Sequence, residues 1–198
     1  MGATMTSKAL TVIRDEHRAL RVMLLSMQQL VGRGPGDDPL RFFRALRAML
    51  LYMDEYPERL HHPKETELLF PRVLAKRPEV QAAIERLDAD HERSEHAVKG
   101  LMHLLAGWEF LGDARRPAFE DAFAHYRASY LEHMDAEEHE ILPVAQEVLT
   151  DEDWALVDRA FEANRDPLTG KHAAEGIYEA LFTRIANDAP APVGLGGN

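Results

Sequence analysis

Two copies of one spacing carry the chemistry of this chain: a histidine followed four residues later by a glutamate. His61 and Glu65 form the first, in LHHPKETELLFP, and His133 and Glu137 the second, in YLEHMDAEEHEILP. Residues four apart lie on one face of an α-helix, one turn above the other. Each pair thus aims an imidazole and a carboxylate at a common point. Two such pairs, joined by single histidines from two further helices, would enclose two metal ions inside a helical bundle.

The elements that must position these pairs read as helices throughout; no sustained period-two alternation marks a strand. A first helix is expected over about 8–30, with His17 in the apolar stripe between Ile13 and Leu20. The segment GRGPGDD ends it. A second helix spans about 39–75 and is interrupted by Pro57 and Pro63, which flank His61 and His62 and predict a distorted segment. A third starts at Pro78 and carries His91 four residues after Leu87. A fourth, about 117–148, has the stripe Phe119, Phe123, Tyr126, Tyr130, His133, Glu137, Ile141. Its buried carboxylate needs something to neutralise it. Thr150 with Asp153 resembles a capping box for a fifth helix, about 151–163. A sixth, about 171–187, presents Ile177, Leu181 and Ile185. HxxxE followed by LFP in the second helix and by ILP in the fourth hints at a two-fold pseudo-repeat. The chain is read as one helical domain over 1–188 with a disordered tail over 189–198.

Composition narrows the chemistry. The 198 residues suffice for one sizeable core, and 45% of them are apolar. No cysteine is present, so thiolate chemistry, disulfides and cysteine-held clusters are excluded and metal ligands are nitrogen and oxygen. A net charge of −11 argues against nucleic acid and anionic membranes as partners. No apolar run approaches the ~18 residues of a membrane span, and no secretion signal is visible, so a cytoplasmic location is expected. No nucleophile elbow, phosphate loop or dinucleotide fingerprint occurs. Ferritin-like bundles use a Glu-x-x-His step on two helices; here Glu58 with His61 is its one copy near the distorted segment.

The polar residues on inner faces run in the order His17, His61 and Glu65, His91, His133 and Glu137. This order resembles the hemerythrin-like, or HHE cation-binding, family, most closely its subgroup with a His, HxxxE, His, HxxxE pattern. HHPKETELLFP and EHMDAEEHEILPVAQEVLTDEDW carry the likeness, which extends over about residues 11–168. The resemblance implies an all-α fold, an antiparallel up-down four-helix bundle with additional C-terminal helices. It also implies two non-haem iron ions with a bridging oxo or hydroxo species. Carried over, His17, His61, His91 and His133 become terminal ligands, and Glu65 and Glu137 bridging carboxylates.

The chain departs from the oxygen carriers of that family. They place two histidines four apart on the third helix, whereas His91 is flanked at that distance by Leu87 and Glu95. Either Glu95 is a ligand or one iron loses a nitrogen donor. His62 is a further additional or substitute ligand, though Thr66 stands four residues after it. The fourth helix takes four residues from histidine to glutamate, where the carriers take five to aspartate. Fewer imidazoles favour the ferric state or an open position over reversible oxygen storage. The expected function is therefore reaction with, or sensing of, oxygen, peroxide or nitric oxide, with a small diatomic ligand or peroxide as partner. The alternative is a metal-responsive regulatory or structural bundle without catalysis, acting through a homodimer or a regulatory protein partner. Tyr126 and Tyr130 read as aromatic core, with a hydrogen bond to a ligand as the alternative. Glu67, Glu138 and Glu140 read as solvated, and His96 and His139 as surface or supporting residues.

Overall fold

The computed structural model describes residues 7–174 and 176–196, and all regular structure among them is helical. Four rods form the body. The first is α1 (Lys8–Arg33). The second is continuous from α2 (Pro39–Glu55) through α3 (His62–Lys64) to α4 (Phe70–Lys76). The third is α5 (Gln81–Leu111). The fourth joins α6 (Arg116–Ala136) to α7 (Leu142–Val148). Short turns link them, so each rod runs antiparallel to the next. α1 packs on α2 and α6, and α5 on α2 and α6. Gly34 and Gly112 end α1 and α5 with φ of 71° and 89°, a region that β-carbon-bearing residues avoid.

The prolines of the second and fourth rods do not break them. They accompany π-helical turns at Pro57–His61, Glu65–Leu69 and Glu137–Ile141. Pro71 has no N–H for the carbonyl of Glu67, and Pro143 none for that of His139. The ladder shifts to the fifth residue instead: Phe70 N–H donates to the Glu65 carbonyl and Leu142 N–H to that of Glu137. Both turns begin on the glutamate of an HxxxE pair, so the pseudo-repeat read from the sequence is also a repeat of backbone geometry. Single π turns inside α-helices concentrate at functional sites.

Apolar side chains fall into two separate cores. One gathers Met23, Leu24, Met27, Phe42, Leu46, Trp108 and Phe119. The other gathers Leu10, Ile13, Phe70, Val73, Leu87, Ile141 and Phe161. His17 follows Ile13 of the second and precedes Leu20 of the first, so the polar residues form a layer between them.

Two further helices cover the rods. α8 (Asp151–Glu162) packs on α1 and buries Val157 and Phe161 in one core, and α9 (Glu179–Asp188) packs on α2 and buries Ile185 in the other. The Thr150–Asp153 capping box is present in full. Asp158 of α8 also serves α1, accepting from Ser7 Oγ at 2.5 Å and from Ala9 N–H at 2.8 Å.

The sixth helix differs from its expected span. It starts at Glu179, and Ile177 stands before it at 84% exposure, because turns follow Gly170 and leave no helical ladder there. Residue 175 of that span lies outside the described residues. The tail read as disordered is placed through Gly196: Val193 N–H donates to Ser26 Oγ, and Leu195 N–H to the Ala186 carbonyl. Its last two residues lie outside the described ones.

Candidate metal centre

The polar layer is built from one side chain of α1, three of the second rod, one of α5 and two of the fourth rod. His17, His61, Glu65 and Glu137 bring one ligand atom each to within 4.8 Å of one another. His62, Glu65, His91 and His133 do the same beside them. Glu65 belongs to both groups and Glu137 to the first. All seven residues are buried. The six ligand candidates read from the sequence therefore converge, and His62 joins them.

His62 answers the missing nitrogen donor of the third helix. Neighbouring residues of a regular helix point about 100° apart, so His61 and His62 should not share one face. The π turn over Pro57–His61 ends between them, with the His62 N–H donating to the Pro57 carbonyl, and the two imidazoles enter adjacent groups. Glu95, the other alternative, is exposed and paired with Lys99. It is not a ligand.

Ring-nitrogen roles follow from the neighbours. His17 Nδ1 is 2.8 Å from Glu138 Oε1, His61 Nδ1 2.7 Å from Glu16 Oε2, and His62 Nδ1 3.0 Å from Glu58 Oε2. A carboxylate accepts, so each Nδ1 carries a proton and leaves Nε2 for a metal. Thr66 donates to Asp88 at 2.7 Å, which leaves its oxygen to accept from His91 Nδ1 at 2.9 Å. The Nε2 atoms crowd together: 3.3 Å between His17 and His61, 3.2 Å between His91 and His133. His62 Nε2 accepts from the Tyr130 hydroxyl at 3.1 Å, the hydrogen-bonding alternative for that tyrosine.

Sequence reasoning missed these supporting acids. Glu138, read as solvated, faces His17 and is held by Arg21 at 2.8 Å. Glu16 stands immediately before His17, and Glu58 four residues before His62. The available signal was adjacency to a candidate ligand for Glu16 and Glu138, and the four-residue step to His62 for Glu58.

Electrostatics separate the two groups. Burial alone would push every imidazole down. At His17 the carboxylates of Glu137 and Glu138 outweigh it and raise the ring above its ordinary value, and Glu65 and Glu16 raise His61 well above. His62 and His91 lack that compensation; burial, with neighbouring imidazoles, keeps them well below. Burial and the facing Glu137 push Glu65 up to about 8. Burial also opposes charge on Glu137, but the His17 ring 3.3 Å away holds it below the usual carboxylate range.

The residues present fit two cations. Glu65 and Glu137 are wholly buried, and none of their four oxygens has a hydrogen bond of acceptable geometry, although His61 Nε2 lies 2.8 Å from Glu65 Oε1. Carboxylates so placed are costly unless a positive charge meets them. Five imidazoles with two carboxylates, one shared between the groups, offer four nitrogen or oxygen donors at each of two positions, a set suited to transition-metal cations.

Comparison with protein families supports the same reading. The hemerythrin HHE cation-binding domain matches residues 8–145, more than half of the chain. No curated protein and no solved structure gives a significant match. No helix among the described residues is long and apolar enough to cross a membrane. The chain belongs to the hemerythrin HHE cation-binding family and carries a candidate buried di-metal site.

Proposed function

We propose that the site holds two non-haem irons and that the protein reacts with, or senses, oxygen, peroxide or nitric oxide. The observation that supports this most is the unequal access to the two groups. The His17–His61 group is closed, and the void beside it, between Glu16, Tyr52 and Asn164, is about 10 Å³. The His62–His91–His133 group forms the floor of a groove of about 350 Å³ between α5 and α6. A small molecule can reach one metal position and not the other.

Bound iron supplies redox change and a Lewis-acidic position for a small oxygen- or nitrogen-containing molecule. The chain's own residues do the rest. Glu65 spans the two positions. Glu16, Glu138, Glu58 and Thr66 fix the imidazoles through Nδ1. Tyr130 holds a proton at its hydroxyl, burial pushing its pKa well above the ordinary phenol, and that hydroxyl faces the open group. Glu58, which burial pushes up to about 7, accepts from Ser94 Oγ of the groove at 2.5 Å and from His62 Nδ1 at 3.0 Å.

Metal content per chain, read with the near-ultraviolet spectrum before and after peroxide or nitric oxide, tests the proposal. Two irons and a spectrum that responds are expected. One zinc and a silent spectrum would leave a structural bundle.

A further inference from the structure

The groove over the open group is far larger than a diatomic molecule needs. One water requires a void of about 10–15 Å³, and an apolar cavity of about 150 Å³ takes up benzene. The groove measures about 350 Å³, so a diatomic ligand would leave most of it to solvent. Its size comes from Ala97 on α5 and Ala122 on α6, where larger side chains would close the seam between the two helices. The partly buried alanines, with the rings of Tyr126 and Tyr130, give it apolar walls.

The floor is aromatic as well. His62 and His91 stack with centroids 4.1 Å apart and planes 13° apart, and His91 stacks in turn on Phe70 at 5.8 Å. Asp90, Arg93, Ser94, His125 and Ser129 also line the groove, but most of the surface it presents is apolar. Concave, mainly apolar walls with a few placed polar groups describe a site for a small organic molecule. Flat rings on walls and floor favour a flat ligand, because offset and edge-on ring contacts add to area burial.

We propose that the α5–α6 groove binds a small single-ring aromatic molecule of the phenol class against the His62–His91–His133 floor. The ring fills the space between Ala97 and Ala122, and its one oxygen serves the hydroxyls and imidazoles. The inference deepens the proposed function by naming an organic ligand for the open side of the same site, and it rests on the groove itself rather than on the identity of the metal.

The test is calorimetric titration of p-cresol into the full chain as purified, alongside Ala97→Phe, Ala122→Phe and, at the exposed mouth, Ser129→Phe. Binding with a millimolar or tighter Kd is expected, weakened at least tenfold by each phenylalanine while metal content and helical content stay unchanged. No p-cresol binding in the parent chain, or equal binding in folded phenylalanine variants, overturns the proposal. Ser129 is exposed, so its variant keeps the test valid if either alanine replacement fails to fold. Cresol binding to protein without iron would retain the groove and reject the di-iron reading. Iron without cresol binding would do the reverse.

Discussion

Asn164 donates from Nδ2 to Glu16 Oε2 at 3.0 Å, and that same oxygen lies 2.7 Å from His61 Nδ1. A residue just beyond α8, outside the region matched to the family, thereby orients a metal-facing imidazole. Lys64 holds the other end of the Asn164 amide. Groups that orient a ligand from behind change metal affinity by about 10–100-fold when removed. Asn164→Ala should weaken metal binding by at least about tenfold. Asn164→Asp should weaken it further by setting a second acid against Glu16. Competition with a chelator measures both.

Stoichiometry separates the two groups. His62→Ala removes a nitrogen from the open group alone, and His17→Ala from the closed group alone; each should leave one tightly held metal per chain. Glu65→Gln touches both groups and should lower occupancy of both, whereas Glu137→Gln should act on the closed side. His61→Ala combined with His133→Ala should abolish binding. Helical content should survive in all of these, because the apolar cores are untouched. Elemental analysis with circular dichroism reads each outcome, and two metals retained in His62→Ala would remove it from the ligand set.

Metal affinity should rise with pH. His17 and His61 are held above their ordinary value in the metal-free protein, and Glu65 keeps its proton up to about pH 8. A metal must displace those protons. Each proton released should add up to ~10-fold in affinity per pH unit while the group that carries it remains protonated. The stability of the metal-free chain should move the other way. Glu65 titrates at about 8 when folded, against an ordinary 4.5. The folded state therefore binds the extra proton between those values, and its stability falls as pH rises from about 4.5 to 8. Urea denaturation with and without metal at several pH values checks both signs.

Tyr52 and Asp166 form a second buried pair, 2.7 Å from hydroxyl to carboxylate. Burial pushes Asp166 up to about 6 despite that bond. Tyr52→Phe removes a donor to a buried charge and should cost ~1–3 kcal/mol at pH 7. The cost should shrink below pH 5, where the folded carboxyl is already protonated. Asp166→Asn should remove the fall in stability between pH 4 and 6. Denaturation midpoints at pH 4.5 and 7 measure the difference.

Much of this site was legible because helical spacing is regular. The stripe from Phe119 to Ile141 gave the buried face of the fourth rod, and two HxxxE pairs with two lone histidines gave six converging residues. What escaped reading lies where the spacing is broken. A π turn cannot be read from the order of apolar residues, so the place of His62 beside His61 stayed open between two alternatives. Pro57 and Pro63 marked a distortion without stating its form. Glu16 and Glu138 sit beside ligands in sequence, and acids on a helix are more often solvated than buried. Asn164 and Asp166 carry no spacing signal, since they reach the site through a turn.

The place of α8 in one core and α9 in the other gives the C-terminal segment a mechanical role. The two apolar halves share no member, so the charged layer between them is a waist, and the rods alone would hold the halves together across it. The C-terminal segment crosses that waist like a splint, with Phe161 seated in one core and Phe182, on Tyr52 and Tyr56, packed against the other. Cleaving the chain near Gly170 would leave both halves folded and let them flex about their middle.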